Sequence, residues 1–241
     1  MVMPDKSRYV YLYLPSAEDK ARWERLAKEA GVPLSKFVIE VFESALAEES
    51  HFKPCSELIK EIGRPRAPFV AVADLVTSPV LDAGCGTGNT ALFFAARGLR
   101  VTGIDFVEEA IQRARVKAAE LGLPVEFLIK DVMTLGDWDE RFASVIDSGL
   151  FHIYSGDEQR RYVQGLAHVL KPGGRLFLFS FSDEEPLDEG GVSKQELYDT
   201  FADGWDIESV QSVRGEASPT FTKAYPNGGP KIWFAVICRK E

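Results

Sequence analysis

Apolar and polar positions alternate strictly in RYVYLYLP, Arg8 to Pro15: Val10, Leu12 and Leu14 fall on one side, Tyr9, Tyr11 and Tyr13 on the other. That period of two predicts a strand, which Pro15 ends. The spacing then turns helical. Ser16 suits an N-cap with Asp19 three residues on, and Trp23, Leu26, Ala27 and Ala30 recur at helical intervals until Gly31 stops the helix. Pro33 and Ser35 open a second helix whose apolar stripe, Leu34, Phe37, Val38, Val41, Phe42, Ala45 and Leu46, ends near Glu49. Residues 1–50 therefore read strand, helix, helix. A lone strand leaves its backbone groups unpaired, and so short a unit buries too little surface to stand alone, so it needs a partner.

Residues 51–68, HFKPCSELIKEIGRPRAP, hold three prolines and several charges around one short helical pattern, as a linker or a lid would. From Pro79 onward strand patterns alternate with helical ones: VLDAG, RVTGID, VEFLIKD, SVIDSG, RLFLFSF, and near the end WDIESVQSV and KIWFAVICR. This alternation predicts an α/β domain over 69–241, a parallel sheet with helices on both faces and an antiparallel addition at its C-terminal end.

Composition narrows the function classes. A hydrophobic content of 45% is ample for a buried core, and the net charge of −9 disfavours a surface built throughout to hold nucleic acid, although a local basic face remains open. Cys55, Cys85 and Cys238 lack both a CxxC pair and neighbouring histidines, so neither a disulfide framework nor a metal site is expected, and a reducing, cytoplasmic setting follows. No signal-peptide pattern opens the chain and no apolar run of about 18 residues occurs, which disfavours secretion and membrane spanning.

The most informative stretch is VLDAGCGTGNTALFFAARG, a strand that turns through Gly84, Gly86 and Gly88 into a helix. Glycines let a backbone turn sharply and approach a ligand with no Cβ in the way. A plain strand-to-helix turn is one reading. A dinucleotide fingerprint is another, but its third glycine would fall at Asn89. The DxGxGxG run, with Asp105 ending the next strand and Asp131 ending the third, resembles the class I S-adenosylmethionine-dependent methyltransferases over roughly residues 63–239. More narrowly, VLDAGCGTGNTALFFAARGLRVTGID and SVIDSGLFHIYSGDEQRRYVQGLAHVLKPGGRLFLFSFSDEEP are similar to the branch with thiopurine, thiol and tellurite-resistance enzymes.

The resemblance implies a Rossmann-like seven-stranded sheet, S-adenosyl-L-methionine as cofactor and a small-molecule methyl acceptor. It places Asp82 and the Gly84–Gly88 backbone along methionine and ribose, Asp105 at the ribose hydroxyls, and Asp131 with the Val132 amide at adenine. Carboxylates suit these positions because an ammonium, hydroxyls and an amine are all donors. Asp147, ending the fourth strand, is placed near the ammonium and the methyl, with a plain capping aspartate as the alternative. His152 is the histidine positioned to act as a base, or else a hydrogen-bonded wall residue. Phe151, Tyr154 and Phe181 are pocket walls or core. The stretch DSGL replaces the tetrad with which relatives acting on DNA amino groups grip a flipped base. Because the donor is already activated, orientation and desolvation dominate, and a soft acceptor such as a thiol needs no dedicated base.

IGRP, Ile62 to Pro65, is similar to the family's segment leading into the sheet and puts Arg64 at the cofactor; where relatives carry a Trp-Asp pair before it, this chain has Lys60-Glu61. The N-terminal unit, ending AKEAGVPLSKFVIEVFESAL, resembles the ribbon-helix-helix modules over about residues 7–49, in which two chains pair their strands. That implies a homodimer, and it implies DNA contact through residues 6–36, with the tyrosine face toward the groove and Lys6 and Arg8 beside it. Two functions follow: a small-molecule methyltransferase dimerised by its ribbon, or a DNA-binding regulator whose second domain senses S-adenosylmethionine.

Overall fold

The computed structural model describes Lys28 and residues 66–139, 141–184, 191–215 and 229–241. The strand–helix–helix unit, its implied dimer and DNA contacts, and Arg64 lie outside the described residues, apart from the exposed, helical Lys28.

Every strand expected after Pro79 forms. They are β1 (Val80–Ala83), β2 (Val101–Asp105), β3 (Val125–Ile129), β4 (Phe142–Ser148), β5 (Leu170–Phe181), β6 (Trp205–Arg214) and β7 (Lys231–Arg239). They build one seven-stranded sheet in the order β3-β2-β1-β4-β5-β7-β6. The first five are mutually parallel and β7 runs antiparallel between β5 and β6. Parallel strands covered on both faces read as continuous apolar runs, and all four residues of β1 are buried.

The helices are α1 (Ala67–Ala71), ahead of β1, and, between strands, α2 (Asn89–Ala96), α3 (Glu108–Leu121), α4 (Gly156–Val169) and α5 (Lys194–Thr200). α1 already belongs to this domain, because Phe69 is fully buried and packs edge-on against Phe234 of β7 at 5.4 Å. The sheet separates two apolar layers. One joins Leu81, Val145, Leu176 and Ala235 to α4 through Tyr162 and Leu166, and the other joins Val80, Ile146, Phe177 and Phe234 to α2 and α3 through Phe94 and Ile111.

The register fixes where chemistry can occur. Ala83 lies beside Ile104 and Asp147, and Ser148 beside Phe179, so the glycine loop, Asp105, the turn after β4 and Phe181 all emerge at one edge of the sheet. In open α/β sheets that carboxyl edge, where the strand order reverses beside β1, is where ligands bind. Among the described residues, no helix is long and apolar enough to cross a membrane.

Candidate active site

The chain leaves β1 through three left-handed glycines, Gly84 (φ 67°), Gly86 (φ 52°) and Gly88 (φ 81°), and the last caps α2. They serve different needs. A Cβ on Gly84 would come within 2.6 Å of the Leu150 side chain, and one on Gly88 within 2.7 Å of Phe127, so these two are glycine because the interior closes on them. Among the described residues, a Cβ on Gly86 would meet nothing within 4 Å. That face of the loop is open to a ligand.

Three carboxylates surround the loop in different states. Asp82 is 1% exposed, and among the described residues neither of its oxygens has a hydrogen-bond partner. Burial pushes its carboxyl up to about 7, helped by the nearby charges of Asp105 and Asp147; the Ala91 amide opposes this from outside hydrogen-bond geometry. An unpaired buried carboxyl is costly, and a cationic partner would relieve it.

Asp105 ends β2. Its Oδ2 accepts from the Gly86 amide and its Oδ1 from the Val107 amide, both at 2.9 Å, which ties β2 to the open point of the loop. Burial raises its pKa, while these amides lower it. The Phe106 amide lowers it too, and the acceptor capacity these amides leave is what a ligand hydroxyl could use. Asp131 follows β3 and caps the short turn Val132–Asp137, its Oδ1 accepting from the Met133 amide at 2.9 Å. Val132 beside it is 6% exposed and packs into the core.

Asp147 and His152 stand across the loop, beyond β4. Asp147 is fully buried; its Oδ1 accepts from the amides of Gly149 (3.0 Å) and Leu150 (2.7 Å), and its Oδ2 from the Tyr162 hydroxyl (3.0 Å). Burial lifts it to about 6 against the pull of these donors. In this geometry Asp147 holds the turn that carries Leu150 over Gly84.

His152 lies in the following 3-10 turn, its ring 4.3 Å from that of Phe181, which is half-buried at the end of β5. The Phe181 amide donates to Nδ1 at 3.3 Å, and Nε2 is shielded from solvent with no partner among the described residues. Burial and the Arg66 guanidinium together hold the imidazole down at about 4, so the ring is neutral at ordinary pH. Of the aromatic wall candidates, Phe151 packs on Phe201 and Tyr154 on Tyr162 in the core, while Phe181 faces the histidine.

Three residues that the sequence reading passed over take part. Lys117 of α3 donates from Nζ to the Thr87 carbonyl (2.9 Å), Thr87 Oγ1 (2.9 Å) and Asn89 Oδ1 (2.7 Å), clamping the far end of the glycine loop. Desolvation, and secondarily Arg113, lower its pKa. One signal was available: Lys117 falls one turn beyond Ala114, a buried residue whose Cβ touches the Gly88 position. Tyr162 anchors Asp147. Arg66 donates from Nε to Ser148 Oγ at 3.1 Å and lies over the Phe179 ring at 4.5 Å, placing a cation at the β4–β5 edge. A cleft of ≈ 460 Å³ between Pro79, Arg100, Glu126 and Arg141 lies at the opposite edge of the strands and shares no residue with this layer.

Residues 80–174 match a family described as a methyltransferase domain. A 2-heptyl-1-hydroxyquinolin-4(1H)-one methyltransferase of Mycobacteroides abscessus is 32% identical over 182 residues, 73% of this chain and 80% of that protein. Among solved structures, one from work on the conversion of a disulfide bond into a thioacetal group during echinomycin biosynthesis is 36% identical, with a TM-score of 0.65 over 83% of this chain and 92% of the other. The 1,6-didemethyltoxoflavin-N1-methyltransferase of Burkholderia thailandensis, 23% identical, shares the fold with a TM-score of 0.56 over 94% of this chain and 91% of its own.

Proposed function

The chain belongs to the class I S-adenosylmethionine-dependent methyltransferases, and from that premise we propose that it methylates a small molecule through a soft or acidic nucleophile, such as a thiol. The observation that carries the reading is the open face of Gly86, flanked by the unpartnered carboxyl of Asp82 and by Asp105. Bound S-adenosylmethionine supplies a methyl group already activated on a sulfonium, so the protein's contribution is orientation, a dry environment and a suitable field.

The residues fit that cofactor. Asp82 offers its carboxylate to the ammonium, Asp105 its remaining acceptor capacity to the ribose hydroxyls, and Asp131 with the Val132 amide an acceptor and a donor to the adenine edge. Gly84 and Gly88 shape the backbone along which it lies, and Arg64 belongs to the segment leading toward it. Asp147 acts by holding the turn after β4, which brings His152 to the acceptor's side.

Support for an acidic or sulfur-centred acceptor comes from two of the similar proteins, one named for an N-hydroxyquinolone and one from work on a disulfide-to-thioacetal conversion. The test is S-adenosylhomocysteine release from the intact protein across thiols, thiopurines and N-hydroxy heteroaromatics. Turnover confined to amines or aliphatic alcohols would sink the acceptor class; absence of cofactor binding in calorimetry would sink the site assignment.

A further inference from the structure

Within the methyl-transfer reading above, on which this inference rests, we infer that the acceptor enters as an anion and is held by a proton that His152 donates from Nε2, so that His152 is a binding donor and not the base. The argument starts from one hydrogen bond. A backbone amide only donates, so the Phe181 amide, 3.3 Å from Nδ1, requires a lone pair on that nitrogen. A neutral imidazole carries its single proton on one nitrogen, and here that nitrogen is Nε2. A base needs the opposite arrangement. For His152 to take a proton at Nε2 it would have to hand its own proton to Nδ1 and lose the Phe181 amide, or become an imidazolium beside the Arg66 guanidinium.

Nε2 is shielded from water and has no acceptor among the described residues, a buried donor whose cost an incoming acceptor atom removes. An anion fits better than a neutral atom. Among the described residues, the charge that bears on this ring is the Arg66 guanidinium, ahead of α1. A histidine that keeps its proton on Nε2 takes none from the acceptor, so the acceptor must arrive already deprotonated. To reach Nε2 the acceptor must displace what shields it. It then sits in a dry environment, where an anionic sulfur or oxygen is most nucleophilic. Such an acceptor forms the new bond to the methyl carbon with a lone pair it already carries, the sulfonium sulfur keeps the electrons of the bond that breaks, and no proton changes hands.

Two readouts on the full-length protein test this. Nitrogen-15 NMR of the histidine rings in the S-adenosylhomocysteine complex, with His152 assigned by its loss in His152→Gln, is expected to show a protonated Nε2 and a bare Nδ1. A proton on Nδ1 overturns the inference whether or not an acceptor has been found. In kinetics with thiophenol and the more acidic 4-nitrothiophenol, the inflection of kcat/KM against pH should move with the thiol's own pKa, and His152→Ala should raise the acceptor KM roughly tenfold or more, with His152→Gln, which keeps an N–H, recovering most of it. An inflection fixed at one pH for both thiols and abolished in His152→Ala would make His152 the base. Cofactor binding with no turnover of any acceptor overturns the methyl-transfer reading instead, and the NMR result still decides the tautomer.

Discussion

The Tyr162 hydroxyl of α4 donates to Asp147 Oδ2 at 3.0 Å, and both residues are fully buried. The tyrosine thereby closes the set of donors around a carboxyl that burial alone would drive toward protonation. The Tyr162→Phe variant leaves Oδ2 without that donor and should lose about 1–3 kcal/mol of stability. Because the turn after β4 loosens with it, acceptor KM should rise more than cofactor affinity falls. Urea denaturation and separate titrations of the two ligands check both statements; equal losses for acceptor and cofactor would show that the turn does not act locally.

The state of Asp82 makes an unusual pH dependence. Its carboxyl is raised from 3.8 to about 7, so between those values the folded protein binds more protons than the unfolded chain. Stability from this group is therefore highest at the acid end, falls as pH rises through the window, and is flat above it. The shift of Asp147 has the same sign, and that of His152, lowered to about 4, the opposite, but both are shared by an Asp82→Asn variant. Relative to that variant, the wild type should lose on the order of 2–4 kcal/mol between pH 4 and pH 8. Thermal denaturation of both proteins across that range measures it. S-adenosylmethionine affinity should rise over the same interval as the carboxylate forms, and should not in Asp82→Asn.

Lys117 offers a test of loop clamping. Its ammonium makes three bonds to Thr87 and Asn89 without touching the open face of Gly86. Lys117→Met keeps the stem of the side chain but removes the donors, and cofactor affinity should fall about tenfold with acceptor KM nearly unchanged. Lys117→Arg should recover part of the loss. Calorimetric titration with S-adenosylhomocysteine gives the answer directly.

The glycines separate folding from binding. Gly84→Ala puts a methyl into Leu150 at a left-handed position and should cost several kcal/mol of stability. Gly86→Ala meets no neighbour, so its stability cost should stay near the roughly 1–2 kcal/mol of backbone strain, while cofactor binding is lost because the methyl occupies the open face. Denaturation midpoints compared with cofactor affinity for the two variants should show the two losses falling on different proteins.

Much of this was legible in the chain. Most of the strands are apolar runs bounded by glycine or charge, although β6 is largely polar, and the strand-to-helix turn through three glycines can be read without coordinates. The local sequence does not reveal which strand ends come together across long separations. Tyr162 looks like one more apolar position of an amphipathic helix, and only the packing of α4 beside β4 brings its hydroxyl to Asp147. Likewise, nothing near His152 in sequence announces the amide of Phe181, 29 residues on, that fixes its tautomer.

The place of β7 bears on how the protein is made. The first four strands, with the glycine loop, are complete once residue 148 has been synthesised, but β5 can pair on its far side only with a strand that ends at Arg239. Until then Leu176, Phe177, Leu178 and Phe179, all buried in the finished sheet, present an apolar edge with free backbone groups. At ribosomal rates of about 5–20 residues per second, that edge stays open for several seconds in every nascent chain. Yield in the cell should therefore be limited by how well chaperones shelter that unfinished edge, and variants that weaken the β5–β7 pairing should accumulate as aggregates before any loss of cofactor binding is seen.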